Sequence, residues 1–406
     1  MSGFVTFLDS EGFSRPEVKN MSALLHGMLK KHDVHVSVLS RSLEEKISPK
    51  KTWERLSRNL KREGLGARLI CANMKKHKRA IRKRRYCVID LSDIQKAYAG
   101  RMEGLSKVRD GDKSTRDNVL IGNGFHWINA VMADGDEIVP VYSEIYSLNH
   151  EGKAHVSENS KLLGITDRVH KIHPEAMYVL DRGGDRTEII VPLHNDGKRF
   201  VIRGQDQRSL RLHEDSGKKT NIKTIAKRVK RCHVYKVQRT GERFFVGIKR
   251  VYLEDIPLWL VVSRRRQGGF SWYLTNAAGS RTEVINMVLE AYGLRWRIEE
   301  YHRQIKQDYG LERLCLRSYA AIKNMGVLVM LASSFCTLLP EHIVIQLLAV
   351  SNLLPRKRLR DIPKYPYYKI VAAVAYILHH TEKRTYKPLL VRKREYFQLN
   401  LAFTGV

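Results

Sequence analysis

Between residues 85 and 204 the chain alternates in a way that few architectures accommodate. "RYCVID" is an apolar run ending in an acid, and "FHWINAVMA" and "EIVPVYSEIY" flank the turn "DGD" as a hairpin does. A helical stretch, "SENSKLLGITDRVHKI", leads into "AMYVLD", and "RFVIRG" follows a further short connection. Strand, hairpin, helix, strand, helix, strand is the signature of a mixed α/β sheet with one crossover. In this reading Asp90 closes the first strand and Asp181 the fourth.

The flanks differ in texture, and no internal repeat is visible. Residues 1–84 read as a helical, basic region in which "VSVLSRSLEE", a turn at "KISPK" and "KTWERLSRNLKRE" suit a helix-turn-helix, with plain helix packing as the alternative. "KKHKRAIRKRR" (residues 75–85) is a charge run that reads either as a solvated linker or as a phosphate-tracking arm. Residues 85–207 form the first part of the α/β core, and 208–280 read as a β-rich insertion. Residues 281–317 complete the core with a helix, and 318–406 read as a helical C-terminal region, a candidate for dimerisation.

Charge narrows the partners. Seventy-three Lys and Arg against 42 Asp and Glu give a net charge of +31 over 406 residues, which costs self-repulsion unless a polyanion is the usual partner. Nucleic acid is the first candidate. The five cysteines are scattered without paired spacing, so neither a disulfide framework nor a zinc site is indicated, and a reducing cytoplasm fits. The N-terminus lacks a basic segment followed by an apolar one. The most apolar run, residues 325–339, is too short to span a bilayer and reads as a buried helix, so no membrane role is expected. No P-loop and no H-E-x-x-H cluster is present.

Residues 292–306, "YGLRWRIEEYHRQIK", carry the chemistry. At about 100° per residue, Tyr292, Arg295, Glu299 and Lys306 fall within an arc of about 60°, while Leu294, Ile298, Tyr301 and Ile305 fill a similar arc opposite. One amphipathic helix is expected, aliphatic on its buried face. Three carboxylates, Asp90, Asp181 and Glu299, then belong to one α/β core. Oxygen ligands at that density suit Mg²⁺ or Mn²⁺ rather than zinc, and a pair of ions suits in-line phosphoryl transfer. Cations on Glu299's face would hold DNA phosphates beside them.

The spacing of Tyr292, Arg295, Glu299 and Lys306 resembles the Y-R-E-K signature of DDE transposases of the insertion-sequence-four family, which have an RNase H-like core. "VLDRGGDR" is similar to the family's second-aspartate motif and "VIDLSD" to its first; "YLT" (residues 273–275) and the "RWRIEE" block also look like the family's. The resemblance runs from about residue 85 to 312. It implies that Asp90, Asp181 and Glu299 are the catalytic metal ligands, that Tyr292 and Arg295 contact phosphates near the cut, and that Lys306 grips the processed strand. "DLSD" offers Asp93 as a rival to Asp90, and Asp90 is preferred because it ends the strand and Ser92 follows. The glycine pair in "DRGGD" departs from the family pattern, and Asp185 is read there as an assisting acid rather than a ligand. The family often stabilises a flipped base on a tryptophan in the strand before the final helix. Trp272 lies close to that place, with core packing as its competing role. Arg203 and Arg208 are further candidates for phosphate contact, with ordinary surface charge as the alternative.

The expectation is therefore a cut-and-paste DNA transposase: hydrolysis of phosphodiester bonds at terminal inverted repeats, then attack of the freed 3′-OH on target DNA. A homodimer would pair two element ends, in the bacterial cytoplasm and associated with the nucleoid. A catalytically inactive, transposase-derived DNA-binding protein and a metal-dependent nuclease without strand transfer are the alternatives.

Overall fold

The computed structural model describes residues 7–109, 114, 118–148, 157–237, 241–265, 268–350 and 366–380. At its centre is a mixed sheet. β1 (Tyr86–Gln95) lies between β3 (Ile121–Asp134), antiparallel to it, and β5 (Met177–Leu180), parallel to it. β4 (Glu137–Tyr146) closes the hairpin on β3, and β6 (Arg199–Arg203) adds in parallel to β5. Burial explains the runs: Val88, Ile89, Val131, Val179 and Val201 are all essentially inaccessible, as in strands covered on both faces.

The crossovers are α6 (Glu158–Ile172), begun where Ser157 Oγ accepts the Ser160 N–H at 3.2 Å, and α7 (Thr187–Asn195). A short β2 (Ser106–Arg109), absent from the sequence reading, pairs with the start of β3.

One expectation about this core needs correction. Asp90 does not close its strand. β1 leaves β5 after Val88 but keeps pairing with β3 to Gln95, so Asp90 sits mid-strand opposite Asn129. The β-rich stretch continues the same sheet. β12 (Phe270–Thr275) pairs antiparallel with β6, and β11 (Ile256–Arg265), β10 (Arg243–Leu253), β7 (Ser209–Arg211) and β8 (Lys219–Asn221) continue outward in that order. β9 (His233–Lys236) pairs with β10 at its outer end, and a short α8 (Ile222–Arg228) follows β8. The free edge of β6 accepts the next strand, so one sheet runs through both segments.

The N-terminal helices are α1 (Arg15–Lys31), α2 (Val36–Ser42), α3 (Pro49–Leu60), α4 (Leu65–Lys76) and α5 (Lys78–Arg82). They share a core with the C-terminal α11 (Tyr319–Thr337). Asn324 on α11 accepts the Gly66 N–H at 2.8 Å and donates to the carbonyls of Leu60 and Arg62, tying α11 to the turn between α3 and α4. The basic stretch 75–85 is largely helical: α4 and α5 take most of it, Arg82 bonds the Ile172 carbonyl, and Arg84 pairs with Glu137.

α11 also revises the membrane argument. The helix begins six residues before the apolar run was placed, and by length and composition alone it could cross a bilayer. Its most apolar window is nevertheless 83% buried inside the chain, as a core helix is. After α11 come α12 (Glu341–Val350) and α13 (Tyr367–His380); what the sequence reading placed at 351–365 and 381–406 lies outside the described residues.

Candidate active site

The sheet's register sets two acids side by side. Val88 pairs with Val179, so two residues further on Asp90 and Asp181 emerge together where β5 ends. Open α/β sheets bind ligands at such strand ends. Asp181 is held by a single 3₁₀ turn, Arg182–Gly184, its Oδ1 accepting the Gly183 N–H at 2.8 Å. A Cβ on Gly184 would lie 2.6 Å from Leu180 Cβ, which accounts for glycine at that position. Asp93, an odd number of residues along an unbroken strand, is on the opposite face from Asp90. Its carboxylate accepts from Gln95 at 2.6 Å.

The third acid comes from the segment that was expected to be one helix. It is two: α9 (Arg281–Gly293) and α10 (Trp296–Gln307), joined by a turn at Leu294 and Arg295. Bonds three residues apart, Arg297 N–H to Leu294 and Ile298 N–H to Arg295, replace the regular ladder there. Gly293, a poor helix former, lies next to the break. Ile298, Tyr301 and Ile305 are buried as their spacing predicts. Arg297 is buried as well, paired with Asp136 and bonded to the Gly135 carbonyl at 3.1 Å. Glu299 forms an ion pair with Arg295 one turn earlier.

Electrostatics tie the acids together. Asp90's carboxyl is pushed up to about 7, first by burial, then by Asp181, with Glu299 adding to the rise and Arg295 opposing it. Among the described residues, no group of three or more His, Cys, Asp or Glu side chains is set to hold a metal ion. The acids share a field rather than a closed ligand cage.

One functional candidate was missed. His302, buried on α10, places Nδ1 3.8 Å from Asp90 Oδ2, and its Nε2 lies 3.1 Å from Asn129 Nδ2. Burial, with Lys306 and Arg295 adding to it, pushes this imidazole down to about 3. It is neutral near pH 7, so Nε2 accepts from the Asn129 amide and Nδ1 carries the proton toward Asp90. Trp127 covers the ring at 4.8 Å between centroids. The available signal was position: His302 is three residues after Glu299, on a neighbouring stripe of the helix.

Tyr292 lies tilted by 50° against Tyr273, with ring centroids 4.6 Å apart, and Arg203 and Arg295 lie over its ring at 6.0 and 5.8 Å. Arg203 thus joins the cluster from β6, where it pairs with Tyr273. Lys306, further along α10, is bridged to Glu312 at 3.1 Å. Arg208 is elsewhere: its Nε donates to Asp185 Oδ1 at 2.7 Å and its other nitrogens go to the Asp185 carbonyl and Thr187. Trp272 is buried against Gly204, where a Cβ would meet its ring at 2.8 Å, and its Nε1 has no hydrogen-bond partner among the described residues.

Asp90 makes a stability prediction. Its raised carboxyl means that, between about pH 4 and 7, the folded chain binds more protons than the unfolded one, so stability falls as pH rises through that window. In chelator at about pH 8, Asp90→Asn should be more stable than wild type by on the order of 2 kcal/mol, the gain vanishing near pH 4. Thermal unfolding at both pH values checks it; an Asn variant less stable at the higher pH would refute it.

Residues 138–335 match the family model described as the transposase DDE domain. A transposase DDE domain is therefore present, and it includes Asp181, Tyr292, Arg295, Glu299 and Lys306 but begins after Asp90. The helix-flanked mixed sheet is consistent, in general terms, with an RNase H-like fold. The domain supports a transposase-like function and enzymatic activity in general. Compared with curated proteins, the chain matches none.

Proposed function

We propose that the chain is a cut-and-paste DNA transposase that hydrolyses phosphodiester bonds at element ends and joins the freed 3′-OH to target DNA. The observation that carries this reading is the field at Asp90, where Asp181 and Glu299 both raise the carboxyl of a buried acid inside an α/β core. Acids that oppose one another in this way are relieved by a hard divalent cation. The donor set is all oxygen and fits Mg²⁺ or Mn²⁺; Asp90, Asp181 and Glu299 would hold the ions, two in number, once Glu299 turns from Arg295. Divalent cations at such a site supply activation of a nucleophile and stabilisation of the leaving oxygen.

The chain's own cations do the positioning. Arg295, Arg203 and Lys306, with the Tyr292 hydroxyl, hold DNA phosphates beside the acids, and His302 holds Asp90 in place. Double-stranded DNA is the partner, and two copies of the chain pair two ends, in the bacterial cytoplasm at the nucleoid. On α3 the exposed Lys50, Lys51, Trp53 and Arg58 are the face offered to the inverted repeats. In this reading Trp272 stacks on no base, because its ring is packed inside, and Arg208 supports the fold.

The test is strand cleavage of a supercoiled plasmid carrying the DNA that flanks the reading frame, with Mg²⁺, with Mn²⁺ and with chelator. Metal-dependent breaks at defined ends, followed by joined products, are expected. Breaks without joining would leave a nuclease, and tight binding without breaks in either metal would leave a DNA-binding protein.

A further inference from the structure

Just beyond α10 lies a side-chain cluster with no part in the proposed phosphoryl transfer. Exposed Cys315 sets its Sγ 3.7 Å from His35 Nε2, and His35 Nδ1 lies 2.6 Å from Asp33 Oδ1. Asp33 also accepts the His35 backbone N–H at 2.7 Å, which fixes the carboxylate. Burial alone would raise its carboxyl, but the bonds from His35 and the nearby Arg313 outweigh that and hold it below the ordinary range.

A carboxylate at Nδ1 selects the tautomer protonated there and leaves the Nε2 lone pair facing Sγ. The thiol's other polar neighbour is the Arg313 carbonyl, at 3.1 Å. The buried Lys96 ammonium is held by the carbonyls of Glu312 and Leu314, on the segment that leads into Cys315. A thiolate at 315 therefore has an imidazolium within contact distance and a fixed ammonium close by. Base, orienting acid and electropositive surroundings are what an activated thiol requires.

We propose that Cys315, His35 and Asp33 form a thiol site that exchanges with low-molecular-weight disulfides. The Sγ proton passes to His35 Nε2, and the thiolate attacks one sulfur of the disulfide. The protein–small-molecule S–S bond forms as the disulfide's own S–S bond breaks, and the departing thiolate takes the proton from Nε2. Cys315 is oxidised and half of the disulfide is reduced. The adduct sits where the N-terminal helices meet the segment that carries Glu312, the ion-pair partner of Lys306.

The test uses the full chain without DNA, so its outcome is separate from that of the transposase reading. Alkylation by iodoacetamide, followed peptide by peptide in mass spectrometry at about pH 7, should modify Cys315 at least about tenfold faster than the exposed Cys232. Oxidised glutathione should form its first mixed disulfide at Cys315. His35→Gln should erase the advantage and Asp33→Asn should reduce it several-fold, with Cys71 and Cys232 unchanged. Equal rates in wild type, an advantage kept in His35→Gln, or first modification at Cys232 would overturn the proposal. If labelling of buried Cys87 and Cys336 shows that His35→Gln has unfolded, Asp33→Asn decides, and an undiminished advantage there counts against the site.

Discussion

Glu299→Gln should lower DNA cleavage by about 10³-fold, the order lost when one group that manages transition-state charge is removed, while DNA binding stays within a few-fold. The asymmetry follows from geometry. Glu299 is one of two acids raising Asp90, so the amide removes a charge from the centre where cations would gather. It retains an oxygen that can accept from Arg295, so the guanidinium and the ring of Tyr292 beneath it keep their places beside Arg203. Phosphate contacts survive and the metal-dependent step does not. Single-turnover cleavage and gel-shift titration, run side by side with Mn²⁺, separate the two. Cleavage by the variant within about tenfold of wild type would remove Glu299 from the proposed ligand set. Lost binding by a variant that still unfolds cooperatively would mean that its role is to hold Arg295.

What the sequence revealed followed from local rules. β1, the β3–β4 hairpin, α6, β5 and β6 stood out because their apolar runs are short, bounded by turns and rich in branched residues. Asp90 and Asp181 could be singled out because each follows an apolar run with a charge, and Glu299 because it shares one helical arc with Tyr292, Arg295 and Lys306. The rest depended on partners. Asp90 lies mid-strand because β3 outlasts β5 as a neighbour, and nothing within "VIDLSD" encodes the length of another strand. The break at Leu294 and Arg295 is a two-residue local event, below the resolution of a helical-face count. Arg297 and His302 carry polar heads that look solvent-facing, yet Asp136 and the Asn129–Trp127 pair on β3 and its turn receive them. Arg208 had the same ambiguity: charge near a strand end does not reveal whether its counter-ion is a phosphate or a buried aspartate.

That last ambiguity has a measurable consequence. Asp185's side chain is fully buried and Arg208's is 15% exposed, so Arg208→Ala leaves an unpaired carboxylate inside the fold. Removing one partner of a buried pair costs about 3–5 kcal/mol, because the remaining charge keeps its desolvation penalty. Burial already raises the Asp185 carboxyl above its ordinary value, with the Gln205 N–H and Arg208 working to lower it. Without Arg208 it rises further, and folding draws in a proton wherever the solution lies between the unfolded and folded values. Stability of the variant therefore falls as pH rises through that window, and its deficit against wild type should be largest near pH 7 and smaller near pH 5. Asp185→Asn combined with Arg208→Ala should recover part of the loss, since an amide can still accept the Gln205 N–H at the position now served by Oδ2, 2.6 Å away. Denaturant titration at the two pH values measures all three chains. A phosphate-gripping Arg208 makes the opposite forecast: stability within about 0.5 kcal/mol of wild type, as for an ordinary surface substitution, with the loss appearing only in DNA binding.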